Sequence, residues 1–347
     1  MTVPIPVSLD LRVPRDRRAR ALTDLRISVI DRCNFRCPYC MPEADFPRDH
    51  EFLSKAQRLR FEEIARLARV FAGFGVHKLR LTGGEPLLRK DLPELVRQLA
   101  AIEGIDDIAM TTNGALLAAQ AQALRDSGLG RITLSVDSLD AGNYARLSGG
   151  RGQVEDVHSA IAAAERAGFG ALKLNCVVMR GVNDHEVTGL VAHFRGSGHI
   201  LRFIEYMDVG TCNEWRRELV VPSAELRERI HAAWPLEPLA ANHGSEVARR
   251  WRFADGAGEI GFISSVSEPF CGDCTRARLS ADGRLYTCLF AQSGHDLRGP
   301  LRAGASDADL AGIIGAVWAA RDDRYSEIRD ATMPATRARV EMYEIGG

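Results

Sequence analysis

Six of the eight cysteines lie in two short groups whose spacing suits metal binding. The first group has the pattern C-x3-C-x2-C and consists of Cys33, Cys37 and Cys40. The second group has the pattern C-x2-C-x13-C and consists of Cys271, Cys274 and Cys288. A structural zinc ion usually takes four protein ligands, whereas each group offers three. A [4Fe-4S] cluster held by three cysteines keeps one iron open for a small molecule, so we predict two such clusters.

Zinc is the alternative occupant of these cysteines. A histidine could complete a four-ligand zinc site, and His295 could serve the second group in this way. The two remaining cysteines are isolated in the sequence. Cys176 lies within an apolar run and is expected to be a core residue. Cys212 has no partner nearby, so we assign it no role.

Short apolar runs that alternate with helical patterns position the first cysteine group. Strands are predicted at residues 25–30, 78–81, 108–111, 132–136, 172–178 and 201–204. Helices are predicted between them, including residues 61–74, 115–125 and 154–167. This alternation predicts an α/β fold whose parallel sheet wraps into a full or partial barrel. The first cysteine group follows the first strand, where barrel loops face the active side.

The sequence pattern changes after residue 205. The elements predicted here are a loop at 207–215, short strands at 249–253 and 259–266, a hairpin of 276–280 with 284–289, and a helix at 307–320. The hairpin turn is Ala281-Asp282-Gly283, and Ser306 is placed to cap the helix. We therefore predict one domain at residues 1–220 and a C-terminal domain at 221–347, which carries the second cysteine group.

Glycine and small polar residues follow several of the predicted strands. Gly83 and Gly84, in the sequence Thr-Gly-Gly-Glu-Pro, follow the second strand and would let the backbone approach a ligand closely. Thr111 and Ser135 stand at the ends of the third and fourth strands, and Met207 follows the sixth. A tight turn and helix caps are the plain alternatives, but the nearby cysteines favour a binding role.

Three cations alternate with apolar residues on predicted strands: Arg26, Arg80 and Lys173. A cation enclosed among apolar residues needs an anion, which could be a ligand or a neighbouring Asp or Glu. The chain has neither a G-x-x-x-x-G-K-[ST] loop nor a G-x-G-x-x-G motif. If a nucleoside triphosphate binds, isolated basic residues of this kind must hold it.

The composition limits the partners and the location. The 347 residues are 46% hydrophobic and 26% charged, with a net charge of −1, so nothing favours nucleic acid or an anionic membrane as a partner. No apolar run approaches the roughly 18 residues needed to cross a bilayer. Residues 1–11 lack the pattern of a signal peptide. We expect a cytoplasmic protein, whose reducing surroundings leave the cysteines free for metal.

The loop of residues 31–42, with Tyr39 directly before the last cysteine, resembles the radical S-adenosylmethionine superfamily. The resemblance implies that the open iron binds the amino and carboxylate groups of S-adenosylmethionine. An electron from the cluster then releases a 5′-deoxyadenosyl radical. The Gly-Gly-Glu-Pro segment is implied to contact the methionine amino group.

The second cysteine group and the residues around it resemble the family of GTP 3′,8-cyclases, which begin molybdenum cofactor biosynthesis. The resemblance covers nearly the whole chain and includes residues 24–28, 81–87, 111–116, 134–139, 202–207, 271–279 and the terminal Gly346-Gly347. It implies a partial (βα)6 TIM-type barrel with a C-terminal α+β extension that carries the second cluster. The tail is implied to reach into the active-site cavity.

The same resemblance implies the site residues. Those for contact with GTP are Arg26, Arg80, Thr111, Lys173, Arg276, Ala277 and Arg278. Those for contact with S-adenosylmethionine are Tyr39, Gly84, Ser135 and Met207. Catalysis is implied for the three cysteines of the first group and for Arg276 and Arg278.

The implied chemistry explains two clusters. A ribose C3′–H is not acidic, so a side-chain base cannot remove it, whereas a 5′-deoxyadenosyl radical can. The sugar radical then adds to guanine C8 and gives (8S)-3′,8-cyclo-7,8-dihydroguanosine 5′-triphosphate. The second open iron is implied to hold the guanine edge, which positions C3′.

The implied partners are GTP, a reductant of the flavodoxin or ferredoxin type and, downstream, cyclic pyranopterin monophosphate synthase. The protein could also form a homodimer.

The main alternative function is that of a peptide-modifying radical enzyme with the second cluster as an electron relay. Such enzymes commonly carry more C-terminal cysteines, so three favour a substrate-binding iron. A non-catalytic metal module is a further rival, which the Gly-Gly-Glu-Pro segment and the polar strand ends disfavour.

Overall fold

A continuous sheet organises the chain in the computed structural model, which describes residues 14–329 and 339–346. The strands are β1 (Asp24–Ser28), β2 (Lys78–Thr82), β3 (Asp107–Thr112), β4 (Arg131–Ser135), β5 (Lys173–Val178), β6 (Ile200–Glu205), β7 (Leu236–Leu239), β8 (Arg249–Phe253), β9 (Glu259–Ile263), β10 (Arg276–Leu279), β11 (Arg284–Tyr286) and β12 (His295–Asp296). Their order across the sheet is β12-β11-β10-β1-β2-β3-β4-β5-β6-β9-β8-β7. Because β12 and β7 are the two ends of this order, the sheet does not close into a complete barrel.

The six strands from β1 to β6 are adjacent and parallel. Strand β1 shows how its sequence produces this arrangement. Leu25 and Ile27 are fully buried in the apolar core, whereas Asp24 and Arg26 line the inside of the barrel, since successive strand residues face opposite sides. The predicted α/β fold with a parallel sheet is confirmed.

Helices bury apolar side chains in the main core against this sheet, except the last and shortest helix, whose buried residues lie in two small separate clusters. The helices are α1 (Phe61–Ala72), α2 (Leu92–Ala100), α3 (Ala121–Asp126), α4 (Ala141–Leu147), α5 (Val154–Arg166), α6 (Val187–Phe194), α7 (Ser223–Ala233), α8 (Arg298–Arg302), α9 (Asp307–Ala319) and α10 (Met342–Ile345). In α1, Ile64, Leu67, Ala68 and Phe71 recur at helical spacing and are buried in the same core as the strands. Among the helices of the described residues, none has the length and apolarity to cross a membrane.

The strands after residue 220 extend both edges of the parallel sheet. Strand β9 lies parallel to β6, and β10 lies parallel to β1. Beyond them, β8 with β7 and β11 with β12 continue the sheet antiparallel. The sequence does not predict β7, because this strand contains Pro238. The strand forms nevertheless because it lies at the edge of the sheet, where proline is tolerated. One sheet thus joins both parts of the chain, and the division at residue 220 stays a prediction about domains.

The helix predicted at residues 115–125 begins later, at Ala121. The Asn113 side chain accepts a hydrogen bond from the Ala115 amide at 3.1 Å, and Gly114 has a positive φ of 86°. These local turns occupy the residues that the apolar spacing assigns to a helix, since Asn side chains compete for backbone donors. Ser306 caps α9 as predicted, by accepting a hydrogen bond from the Asp309 amide.

Candidate active site

A cavity with two connected chambers runs along the inside of the barrel. The upper chamber lies at the carboxyl ends of the strands, and its lining includes Cys33, Cys37, Cys40, Tyr39, Gly84, Ser135 and Met207. The lower chamber extends to the amino ends, and its lining includes Arg26, Arg80, Lys173, Arg276, Arg278, Cys271, Cys274 and Cys288. Thr111, Asn175, Ile204 and Met207 line both chambers. The structure therefore brings together the side chains that the sequence predicts, with the exception of Ala277.

Ala277 lies on β10 between two arginines, and its side chain packs in the hydrophobic core. Only its main chain could contact a ligand in the lower chamber.

A buried arginine shapes the loop of the first cysteine group. Arg36 donates a hydrogen bond to the carbonyl oxygen of Cys33 at 3.0 Å and to two further main-chain oxygens. The amides of Cys40 and Met41 both donate to the carbonyl oxygen of Cys37, at 3.0 and 2.9 Å. This turn directs all three thiols toward the upper chamber.

The two glycines after β2 pack directly on the same loop. The Gly84 amide donates to the carbonyl oxygen of Ile30 at 2.8 Å, and the Glu85 amide donates to that of Arg32 at 2.9 Å. A methyl group on Gly84 would overlap the Arg32 carbonyl, and one on Gly83 would overlap the Ile30 carbonyl. Glycine is needed here because two backbones are in contact.

Glu85 joins the loops that follow three different strands. Its buried carboxylate accepts hydrogen bonds from the Thr112 hydroxyl at 2.7 Å and the Asn113 amide at 2.8 Å. The Asn113 side chain donates to the side-chain oxygen of Asn34, beside Cys33, at 2.8 Å. Burial raises the pKa of Glu85 to about 7, against the opposing effect of these hydrogen bonds.

A second buried carboxylate holds Tyr39. The Tyr39 hydroxyl donates to Asp137 at 2.5 Å, and Asp137 also accepts a hydrogen bond from the Val177 amide at 2.8 Å. Burial raises the pKa of Asp137 to about 6. The ring of Tyr39 is thus fixed in the wall of the upper chamber, which Ser135 and Met207 also line.

Cations of the lower chamber lie side by side across neighbouring strands. Arg26 on β1 is directly opposite Arg80 on β2 and Arg278 on β10. Like charges placed directly opposite each other destabilise a sheet. Arg80 donates to the hydroxyls of Thr111 and Thr133, at 3.0 and 3.1 Å. These two partners are neutral, so they leave its positive charge uncompensated.

Burial and, after it, mutual repulsion lower the pKa values of these cations. Burial lowers the pKa of Arg26 to about 9, with Arg276 and Arg80 adding to the effect. Burial and Arg202 lower the pKa of Arg80 to about 10. Burial lowers the pKa of Lys173 to about 8, with Arg202 as the next cause. A polyanion would relieve the repulsion in this chamber.

The second cysteine group lies at the amino end of β10. Cys271 and Cys274 precede β10, and Cys288 follows the antiparallel β11, so all three reach the same end of the sheet. Although burial opposes it, Arg276 and Arg321 lower the pKa of Cys274 to about 6. The two cysteine groups therefore face each other from opposite ends of one cavity.

Each donor set suits an iron–sulfur cluster with one open iron, because it offers three cysteines and each cysteine of such a cluster binds a different iron. All six cysteines are free thiols. Burial raises the pKa of Cys33 to about 12, so a bound cation is needed to keep it as a thiolate.

The structure adds lower-chamber cations that the sequence reasoning missed, among them Lys78 and Arg202. Lys78 forms an ion pair with Asp24 at 3.3 Å, and Arg202 donates to the Asn175 side chain at 2.9 Å. Arg202 packs over Gly261, where a side chain would crowd it. Both residues occupy inward-facing positions of their strands. The alternation of charged and apolar residues along each strand was the sequence signal that could have predicted them.

The C-terminal tail reaches the cavity as far as it is described. Arg278 donates to the carbonyl oxygens of Ile345 and Gly346. Glu341 anchors the tail by accepting hydrogen bonds from the Thr211 amide at 2.8 Å and from the Cys212 thiol at 3.0 Å. Cys212, which the sequence left without a role, thus contacts the tail. Gly347 lies outside the described residues.

Comparison with known proteins gives the class first. Residues 27–193 match the family model of the Radical SAM superfamily, and residues 199–327 match that of Molybdenum Cofactor Synthesis C. Among solved structures, Streptococcus suis SuiB bound to S-adenosylmethionine has the same fold, with a TM-score of 0.60, 14% identity and coverage of 84% of this chain and 67% of that chain. The chain is a radical S-adenosylmethionine protein.

Curated relatives give the family. A protein named GTP 3′,8-cyclase from Xanthomonas campestris pv. campestris (strain B100) is 60% identical over 333 residues, which cover 96% of this chain and 97% of the relative. Its namesake from Acidothermus cellulolyticus is 52% identical over 319 residues, with coverage of 91% and 88%. That from Staphylococcus saprophyticus is 43% identical over 335 residues, with coverage of 96% and 98%. The chain belongs to the family of GTP 3′,8-cyclases.

Replacing Gly84 with alanine should displace the loop of the first cysteine group, because the added methyl group would overlap the Arg32 carbonyl. We expect the iron content to fall by up to the four irons of one cluster, measured by iron analysis after anaerobic reconstitution. Gly130→Ala is the matched control, since its methyl group would meet only the Ile108 carbonyl at 3.4 Å. Full iron content in Gly84→Ala would show that the contact is not needed.

Proposed function

We propose that this chain is a GTP 3′,8-cyclase that acts in molybdenum cofactor biosynthesis. It cleaves S-adenosylmethionine, removes the C3′ hydrogen of GTP and joins C3′ to guanine C8, which gives (8S)-3′,8-cyclo-7,8-dihydroguanosine 5′-triphosphate. The relatives that bear this name cover nearly the whole chain. The observation that carries the proposal is one cavity with three thiols at each end and a row of arginines between them.

The upper chamber is proposed to bind S-adenosylmethionine. When bound by Cys33, Cys37 and Cys40, an iron–sulfur cluster supplies the electron that cleaves this cofactor. Tyr39, held by Asp137, and the small residues Gly84 and Ser135 shape the wall around it. Met207 lines both chambers, so it would lie between the cofactor and the substrate.

The lower chamber is proposed to bind the triphosphate of GTP. Arg26, Arg80, Lys173, Arg276 and Arg278 all line it, and guanidinium groups bind phosphate through paired, charge-assisted hydrogen bonds. Binding an anion here would offset the burial and the mutual repulsion that lower the pKa values of Arg26, Arg80, Lys173 and Arg278. Thr111 lines both chambers, and we place the ribose beside it. The main chain of Ala277 is proposed as a further contact.

The second cysteine set is proposed to hold a further [4Fe-4S] cluster through Cys271, Cys274 and Cys288. Three cysteine ligands leave one iron open, and that iron would hold the guanine edge. Fixing the base at the lower end and the triphosphate along the barrel would present C3′ to the upper chamber. Catalysis then rests on positioning, since no side-chain base can remove a ribose C–H proton.

Further partners follow from this chemistry. Cleavage of S-adenosylmethionine consumes an electron, so we propose a reductant of the flavodoxin or ferredoxin type. The cyclised nucleotide would pass to cyclic pyranopterin monophosphate synthase. We place the activity in the cytoplasm, where reducing conditions keep cysteines free, and we propose a homodimer as the assembly to test.

The position of hydrogen removal is the direct test of the function. With GTP deuterated at C3′, we expect the label to appear in 5′-deoxyadenosine, because the C3′ hydrogen moves to the adenosyl carbon. Mass spectrometry of this product after anaerobic turnover makes the measurement. GTP deuterated at C2′ is the control and should transfer no label. Transfer only from C2′ or from solvent would reject the reaction.

Cysteine replacement tests the two clusters separately. We expect about eight irons per chain in the reconstituted protein and about four after alanine replacement of either cysteine group. Loss of the first group should also abolish cleavage of S-adenosylmethionine, followed by chromatography of 5′-deoxyadenosine. Cys176→Ala, in the buried core, should keep all the iron. Stoichiometric zinc in active protein would overturn the assignment.

The lowered pKa of Lys173 predicts how GTP binding depends on pH. Lys173 is protonated below about pH 8, and only the protonated amine attracts the triphosphate. A bound anion raises the pKa, so binding above pH 8 takes up a proton and weakens by up to tenfold per pH unit. Isothermal titration between pH 7 and 9 measures the slope without going above the pKa of Arg26, which burial lowers to about 9.

Lys173→Met should bind GTP more weakly and should lose most of this slope. Lys90→Met, at an exposed position, is the matched control and should keep it. An unchanged slope in Lys173→Met would assign the titration to another group.

A further inference from the structure

A buried network ties the segment before β1 to the end of α9. Arg20 Nε forms an ion pair with Asp16 at 2.7 Å, and Arg321 Nη1 reaches the same carboxylate oxygen at 3.2 Å. The three side chains are between 0% and 3% exposed. The Trp318 indole donates to the carbonyl oxygen of Arg20 at 3.1 Å, which fixes the main chain of this segment as well.

Both arginines of this network hold the main chain of the second cysteine group. Arg20 Nη1 donates to the carbonyl oxygen of Cys271 at 2.7 Å, and Arg321 Nη1 donates to that of Cys274 at 2.7 Å. Arg20 Nη1 also donates to the carbonyl oxygen of Asp323 at 2.8 Å. These contacts fix the guanidinium of Arg20 beside the cysteine loop rather than at the surface.

One donor nitrogen of Arg20 has no acceptor. Its Nη2 atom is buried and makes no hydrogen bond within the described residues, although Arg20 lines the lower chamber together with Cys271, Cys274 and Cys288. A buried donor without a partner is costly and is therefore uncommon in native structures. The observation points to an acceptor that the described residues do not supply.

The site around Arg20 Nη2 offers sulfur as a hydrogen-bond acceptor. The guanidinium of Arg276 already donates to the Cys274 thiol sulfur at 3.2 Å, so a sulfur in this site does accept hydrogen bonds from arginine. Arg276 approaches along β10, whereas Arg20 approaches from the N-terminal segment through Cys271. The two arginines thus reach the cysteine set from different elements.

We propose that Arg20 Nη2 donates a hydrogen bond to a sulfur of the iron–sulfur cluster held by Cys271, Cys274 and Cys288, and thereby raises the reduction potential of that cluster. This inference rests on the proposed second cluster. Reduction adds negative charge to a cluster, and a nearby cation with an N–H donor stabilises the added charge. Hydrogen bonds to sulfur are an established means of setting such potentials. Arg20 thus tunes the cluster without being one of its ligands.

The test is a redox titration of the reconstituted full-length protein, followed by electron paramagnetic resonance. The signal that S-adenosylmethionine leaves unchanged reports the second cluster. We expect Arg20→Gln to lower the midpoint potential of this signal and leave that of the first cluster unchanged. A tenfold weaker preference for the reduced state corresponds to about 59 mV for one electron.

The matched control is Arg18→Gln. Arg18 lies in the same segment, but it pairs with the exposed Asp322 at 2.6 Å. We expect wild-type potentials for both clusters in this variant. Arg20→Lys is the second variant, because it keeps the buried positive charge but loses the guanidinium group and with it the Nη2 donor. We expect this variant also to lower the midpoint potential of the second cluster.

The outcomes separate this inference from the proposed function. A wild-type protein with a single cluster would overturn the proposed function itself. A second cluster with an unchanged potential in Arg20→Gln would overturn only the inference. If Arg20→Gln binds GTP more weakly while the potential of the second cluster is unchanged, Nη2 contacts the nucleotide instead, and the inference is also overturned. Loss of the second cluster from both Arg20 variants would make Arg20 a structural residue and also overturn it.

Discussion

The enclosed positive charge of the barrel is the constraint on which the rest of the structure depends. Arg278, Arg26 and Arg80 stand next to one another on three neighbouring strands, where like charges repel. The opposite faces of the same strands carry residues such as Leu25 and Ile27, which are fully buried. Their burial, worth roughly 1.5–3 kcal/mol for each large aliphatic side chain, holds the strands together despite the repulsion inside. The protein therefore keeps a stable sheet around a chamber that favours a polyanion.

The parallel pairing of β10 with β1 decides the geometry of the reaction. It brings Cys271 and Cys274, late in the chain, to the amino end of the strand whose carboxyl end leads to Cys33. A strand of five residues such as β1 is roughly 17 Å long, and the two cysteine groups lie beyond its opposite ends.

Buried carboxylates then give the upper chamber its rigidity. Its wall is made of loops from several strands, and loops alone would position side chains poorly. Glu85 joins the loops after β2 and β3, and Asp137 joins the loop after β4 to Tyr39. Each carboxylate is withdrawn from water, which raises its pKa. The hydrogen bonds offset the unfavourable burial and fix the ligand-facing groups.

Local pattern was sufficient for much of this protein. The cysteine spacing, the glycines before Glu85 and the alternation of strands and helices are properties of neighbouring residues. They predicted the α/β fold with a parallel sheet, which the structure confirms, and two clusters, of which the second stays a prediction. Local patterns were weaker where side chains compete with the backbone. The turn at Asn113 delays α3, and the edge strand with Pro238 lacks a strand signal.

Tertiary structure alone decided how distant segments share one site. It brought Lys78 and Arg202 into the lower chamber and buried the Ala277 side chain in the core. It also set Arg20 against the second cysteine group, and the tail against Arg278. These outcomes depend on which strands pair and in which register, and pairing joins residues far apart in sequence. A sequence read locally determines which side chains can do the chemistry, whereas the long-range pairing of β10 with β1 decides which of them meet.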